Sequence, residues 1–325
     1  MRYLFLFLFL THYSYASKPI RILTTTSIFK DMIQQIGGHH VEISSIVPLG
    51  SDPHTYEANP SDVVSCKTAD LIMINGLHLE VWIEKLIQNS KPSAEIITLT
   101  NGIPSIKSGA YPDPHAWMSA KNGMVYANNI ASAIITKYPS LKGDITTNLQ
   151  SYLEALKKLD LFITNKVLTI PEKHRVLVTN HDAFRYFGQH YNIQLAPLMG
   201  VSTEAEPKTS DIIKIINIVQ KTGVPAIFVE SSINPQLMNQ IAKDLNVSIG
   251  GSLYSDSLGD ENSGAGTYLG MLQTNTNRIV NALSKLDTSL SVNNASSLND
   301  MMVLTFLTLL FLLLTTLLFI TKLNG

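Results

Sequence analysis

Residues 20–47 read IRILTTTSIFKDMIQQIGGHHVEISSIV. Three patterns follow one another in this stretch. Ile20 to Thr26 is an apolar, β-branched run that ends in hydroxyls, which predicts a strand with a polar loop behind it. Ile28 to Ile36 places apolar residues at helical spacing, and Gly37-Gly38 stops the helix. Val41 to Val47 predicts a second strand. The alternation continues. Asn59-Pro60-Ser61-Asp62-Val63 opens a helix with proline in its first turn, and Leu71 to Ile74 is a strand before the Asn75-Gly76 turn. Arg175 to Thr179, Ala226 to Glu230 and Val247 to Ser252 are short apolar runs between helix-like stretches. Strands alternating with helices predict an α/β fold with mainly parallel sheets.

One stretch breaks the alternation. Leu141 to Leu168 has no strand signal and carries Leu149, Leu153, Leu156, Leu159, Phe162 and Ile163 at three- and four-residue spacing, with Pro171 beyond its end. The spacing predicts a long amphipathic helix joining two lobes. The expected organisation is an N-terminal α/β lobe (17–140), a rigid linking helix (141–168) and a C-terminal α/β lobe (169–286). The length of 325 residues suits two domains of roughly 150 each.

The ends carry other signals. Met1-Arg2-Tyr3, the apolar run Leu4 to Leu10, and small residues at Ser14 and Ala16 predict a secretory signal peptide over 1–16. Met301 to Thr321 holds no charge, proline or glycine, and its length as a helix would match the roughly 30 Å hydrocarbon layer, which predicts a transmembrane helix. Asp287 to Asp300 is small and polar and reads as a flexible tether. Together these place the lobes outside the cytoplasm, in the periplasm or at the cell surface, anchored to the cytoplasmic membrane by the C-terminal helix. No cysteine follows the N-terminal apolar run, so a lipid-bearing N-terminus is not expected.

Composition excludes several classes. Lys+Arg number 24 and Asp+Glu 25, a formal net charge of −1, so no basic excess is available to neutralise nucleic-acid phosphates. Cys66 is the one cysteine, which rules out an intrachain disulfide and cysteine-rich zinc folds.

Chemistry concentrates in a few loops. His54 lies in Ser51-Asp52-Pro53-His54 and His115 in Asp113-Pro114-His115, so two imidazoles share the tripeptide Asp-Pro-His. Proline stiffens each loop, and the aspartate can orient the ring or cap the next turn. His181 follows a predicted strand in Val178-Thr179-Asn180-His181, and Asp256 follows another in Leu253-Tyr254-Ser255-Asp256. Ligands of α/β proteins collect at the carboxyl ends of strands, and three imidazoles with one carboxylate suit a first-row divalent metal. Taken singly, each histidine also fits a surface hydrogen-bonding role, and Asp256 a helix cap. His39, His40, His78, His174 and His190 lack a paired motif. Glu204, Glu206 and Glu230 are candidates for supporting or partner-facing roles without ligating.

The pieces SDPHTYEANPSDV (51–63), ADLIMINGLHLEVW (69–82), DPHAWMS (113–119), VTNHDAFRYFG (178–188), GVSTEAEP (200–207), IFVESSINP (227–235) and LYSDSLG (253–259) resemble, in order, the metal-binding solute-binding proteins of ABC transporters for zinc, manganese and iron, family 9 of the solute-binding proteins. The resemblance implies two α/β lobes with the metal in the cleft between them. Carried over by position, it implies His54, His115, His181 and Asp256 as ligands. It implies a monomeric carrier, not an enzyme, that delivers a divalent transition metal (Zn2+ favoured, Mn2+ or Fe2+ also carried in the family) to a permease and its ATPase. Pro104 to Tyr111 is short, where many zinc-specific relatives carry a long His- and Asp-rich loop. The alternatives are a metal-dependent hydrolase and a surface adhesin or metal sensor. Four protein ligands would close the position that catalytic zinc keeps for water, and the sequence holds no H-E-x-x-H.

Overall fold

The computed structural model describes residues 18–285 apart from residue 110. The expected signal peptide (1–16), tether (287–300) and membrane helix (301–321) lie outside the described residues. Among the described residues, no helix is long and apolar enough to cross a membrane.

The N-terminal lobe begins with strand β1 (Ile20–Thr24), helix α1 (Ser27–Gly37) and strand β2 (Val41–Ser45). Helix α1 turns its Ile28, Phe29, Met32, Ile33 and Ile36 side inward and ends at Gly38, whose φ of 58° lies in the left-handed region. Then come α2 (Pro60–Thr68), β3 (Leu71–Ile74), α3 (Ile83–Ser90) and β4 (Glu95–Thr98). The four strands form one parallel sheet in the order β2-β1-β3-β4. Pairing continues past the end of β2, since Ile46 and Val47 donate to the carbonyls of Thr24 and Thr25. The start of α2 is a capping box: Asn59 Oδ1 accepts from the Ser61 amide, and Asp62 Oδ2 accepts from the Asn59 amide. A small antiparallel hairpin, β5 (Lys107–Ser108) with β6 (Tyr111–Pro112), precedes helix α4 (Ala120–Lys137).

Helix α5 (Lys142–Leu168) spans the expected linking helix. It packs on α1 and α4 of the first lobe and on α6 (Arg185–Tyr191) and α9 (Tyr268–Leu283) of the second. Its buried stripe is Ile145, Tyr152, Leu156, Leu159, Ile163 and Val167. Leu149, Leu153 and Phe162, counted in the sequence stripe, lie only partly buried at its edges. Leucine spacing alone hides this rotation, because Tyr152 and Val167 fill the centre of the face.

The C-terminal lobe is built from β7 (Val176–Thr179), α6, β8 (Gln194–Pro197), α7 (Thr209–Thr222), β9 (Ala226–Glu230), α8 (Gln236–Leu245) and β10 (Ser248–Leu253), closed by α9. The strands pair in parallel as β7-β8 and β10-β9. Side chains join the two pairs at their carboxyl ends: Asn180 Oδ1 accepts from the Glu230 amide, and Glu230 Oε1 accepts from the His181 amide. One hydrophobic core runs from α1 through α4 and α5 to α9, so the lobes share it. The fold is therefore α/β with two lobes and mainly parallel sheets, in agreement with the sequence.

Candidate metal centre

The four residues singled out from the sequence come together between the lobes. One donor atom from each of His54, His115, His181 and Asp256 lies within 4.8 Å of the others. His181 and Asp256 come directly off the carboxyl ends of β7 and β10, where backbone amides and carbonyls leave the ladder. His115 follows the short hairpin strand β6 by three residues, and His54 rides the longer segment between β2 and α2. Both are preceded by Asp-Pro, which stiffens the backbone at each.

The two aspartates have different roles. Asp113 Oδ1 accepts from both the His115 amide (2.8 Å) and His115 Nδ1 (2.9 Å), which leaves Nε2 facing the cluster. Asp52 Oδ1 accepts from the His54 amide at 2.8 Å, and its other oxygen accepts the hydroxyl of Thr203 from the opposite lobe. His181 Nδ1 lies 2.7 Å from Glu230 Oε2, a close ion-pair contact and not a straight hydrogen bond. Asp256 Oδ2 is held by the hydroxyls of Ser255 (3.1 Å) and Ser232 (3.4 Å), while Oδ1 is buried without a hydrogen-bond partner.

The spacing of the donors is informative. His115 Nε2 lies 3.1 Å from His54 Nε2, 3.4 Å from His181 Nε2 and 3.4 Å from Asp256 Oδ1. His181 Nε2 lies 3.4 Å from Asp256 Oδ2. Four ligands at zinc-like bond lengths around a tetrahedral ion are about 3.3–3.4 Å apart. The short pairs are near that spacing, while the four donors as a set lie within 4.8 Å of one another.

Burial and charge set the protonation states. Burial pushes the His54 imidazole down to about 3, so it stays neutral. Burial opposes charge on His115 too, but its hydrogen bonds with Asp113 and Asp256 outweigh burial and hold it up at about 10. His181 is raised in the same way: burial is outweighed by the charges of Glu230 and Asp256. Burial would raise Asp256, yet His181 and His115 hold its carboxyl well below the usual range. Two imidazolium-like rings balanced by buried carboxylates give a site that can exchange protons for a cation.

The remaining histidines lie elsewhere. His39 is exposed, and His40 contacts Asp144 at 2.8 Å. His78 is exposed against the ring of Tyr111. His174 is buried with Nδ1 near the Leu283 carbonyl, and His190 contacts Asp160 on α5. Of the three glutamates, Glu230 supports His181, whereas Glu204 and Glu206 are exposed.

Two supporting contacts had no reading in the sequence. The first is Thr203, in the same loop as Glu204 and Glu206, where hydroxyls have no signal to set them apart. The second is Trp117, whose Nε1 donates to the Ser255 carbonyl at 2.8 Å, while its own carbonyl accepts from the Tyr268 hydroxyl. Trp117 thereby ties the His115 segment to the Asp256 segment. Its position two residues past His115 was the available signal.

The profile of the family described as "ZnuA: Zinc-uptake complex component A periplasmic" matches residues 22–282. A metal ABC transporter substrate-binding lipoprotein of Streptococcus sanguinis is 35% identical over 280 residues, 83% of this chain and 91% of the relative. A manganese-binding lipoprotein of Halalkalibacterium halodurans is 34% identical over 268 residues, 82% and 89% of the two chains. Among solved structures, the periplasmic zinc-binding protein of Treponema pallidum matches with a TM-score of 0.79 at 32% identity, over 82% of this chain and 100% of its own. A Mn-bound periplasmic metal-binding protein of Candidatus Liberibacter asiaticus matches with a TM-score of 0.75 at 31% identity, over 81% and 99%. The match runs through both lobes and every segment that contributes to the cluster, and on that ground the chain belongs to the ZnuA family of extracytoplasmic metal-binding proteins, substrate-binding components of ABC transporters and not enzymes.

Proposed function

We propose that His54, His115, His181 and Asp256 hold one divalent ion as cargo and that the chain, as a monomer, hands it to a permease driven by an ATPase. The observation that carries this reading is the convergence of four donor groups within 4.8 Å of one another, with His115 Nε2 3.1–3.4 Å from a donor of each of the other three. No position is left open for a reacting water, which favours carriage over hydrolysis. Nothing in the site favours the adhesin or sensor alternative.

Zinc is the favoured cargo. Three imidazoles against one carboxylate make the site rich in nitrogen, and zinc outranks manganese at such donors. Manganese is the second reading, favoured by a specific observation: a structural relative 31% identical is described as Mn-bound, and a sequence relative 34% identical as manganese-binding. Iron stands behind both. Metal analysis of protein purified without added metal, followed by competition titration of wild type and His115→Ala, tests the site. Unchanged affinity in His115→Ala would reject it. The anchorage of the lobes by residues 301–321 is proposed from the sequence.

A further inference from the structure

His115 and His181 are fully enclosed and Asp256 is 1% exposed, while His54 alone of the four retains part of its surface open to solvent. Of the four side chains, His54 thus stands nearest to solvent. His54 sits on a strap between β2 and α2, and three contacts hold the strap around residues 50–54. The Gly50 amide donates to Ser257 Oγ of the other lobe at 2.7 Å. The Pro53 carbonyl accepts from Trp82 Nε1 of its own lobe at 2.9 Å. Between them, Asp52 takes the His54 amide on one oxygen and the Thr203 hydroxyl, from the opposite lobe, on the other.

The third hold differs from the others. A single carboxylate joins the backbone of the outermost ligand to the opposing lobe, so the strap cannot move His54 away while Thr203 holds Asp52. Ser257 lies buried beneath the strap, whereas Thr203 stands half-buried on a surface loop beside the exposed Glu204 and Glu206. It is the hold most open to being released from outside.

We propose that Thr203 is the latch of the metal site: its bond to Asp52 across the cleft holds His54 in place and sets the rate at which bound metal escapes. This rests on the ligand set proposed above. A hydrogen bond from a neutral hydroxyl to a carboxylate contributes enough that its loss should speed release by about tenfold or more. The effect is read in the release rate.

The test measures zinc dissociation from the full-length chain in detergent by stopped-flow transfer to an excess of chromophoric chelator. Thr203→Val keeps the side-chain shape and removes the hydroxyl, and Thr203→Ser restores a hydroxyl. Thr203→Val should release zinc about tenfold faster, and Thr203→Ser should return toward the wild-type rate. Asp52→Asn should also speed release, and the double variant should add little to the faster single one. Wild-type release from Thr203→Val overturns the latch, as does full additivity in the double variant. If Thr203→Val fails to fold, the rates of Thr203→Ser and Asp52→Asn decide: wild-type release from Asp52→Asn overturns the latch. His115→Ala is run beside them. Loss of binding there with wild-type release from Thr203→Val rejects the latch alone, while unchanged binding in His115→Ala rejects the ligand set itself.

Discussion

His115 Nε2 and His181 Nε2 lie 3.4 Å apart, although one ring is carried by the first lobe and the other by the second. Each is backed by a buried acid on its far nitrogen, Asp113 at 2.9 Å and Glu230 at 2.7 Å. Two rings so placed repel one another when both carry protons, and a metal ion between them removes that repulsion. On the proposed ligand set, bound metal should therefore stabilise the closed pair of lobes.

That relationship predicts proton release. His54 is already neutral, so the protons displaced by metal come from His115 and His181. Affinity should rise with pH between pH 6 and pH 9, by at least about one decade per pH unit from His115 alone. Calorimetric titration in two buffers of different ionisation enthalpy counts the protons. A heat independent of buffer would refute the assignment.

The metal-free protein should show the same groups in its stability. His115 is raised to about 10, so its contribution is complete below the unfolded value near 6.5 and is lost as pH rises through 10. His54 is depressed to about 3, so the unfolded chain gains the proton first, and stability is lost as pH falls from 6.5 toward 3. These two groups place the melting-temperature maximum near pH 6.5, and bound metal should abolish the alkaline loss. Metal-free melting temperatures that climb steadily from pH 6.5 to 9 would contradict this.

Glu230 is expected to support binding without ligating. Glu230→Gln keeps the acceptor for the His181 amide but removes the charge beside Nδ1. Affinity should fall by about 10- to 100-fold at unchanged stoichiometry, less than for His115→Ala. Equal losses in the two variants would make Glu230 a ligand.

Metal choice can be tested at His181. A carboxylate there should weaken zinc more than manganese, because it replaces nitrogen by a hard oxygen. Glu230 complicates the single change His181→Glu, since it would place two carboxylates together in a buried site. The pair His181→Glu with Glu230→Gln is the cleaner comparison. Equal loss for both metals in competition titrations would show that His181 does not set selectivity.

The shared core offers a control away from the site. A Cβ on Gly123 of α4 would meet the Tyr268 hydroxyl at 2.7 Å, and that hydroxyl holds the Trp117 carbonyl. Gly123→Ala should cost about 1–3 kcal/mol, seen as a lower melting temperature, while the chain still binds one metal. An unchanged melting temperature would mean that α4 and α9 give way without cost.

Much of this was legible in the residues. Ile20 to Val47 announced strand, helix and strand because β1 is buried along most of its length, the edge strand β2 alternates between the two faces, and helices demand a stripe. The repeated Asp-Pro-His marked His54 and His115 because proline stiffens a loop without tertiary help. His181 and Asp256 were harder, since a single histidine or aspartate past a strand also serves as a turn or cap. Their place in the family's order of motifs singled them out.

Composition and spacing thus determined the α/β class and the long helix, because these follow from local pattern and short-range stereochemistry, and the resemblance to the family added the full set of candidate ligands. The tertiary structure alone decided which groups support those ligands. Asp113 aims a ring while Asp52, in the same tripeptide, reaches the opposite lobe; Glu230 backs His181 while Glu204 and Glu206 stay in solvent; Trp117 bridges to Ser255. Each of these supporting contacts is fixed by the closed fold. Their partners are chosen by how the two lobes close on one core, and no local pattern carries that information.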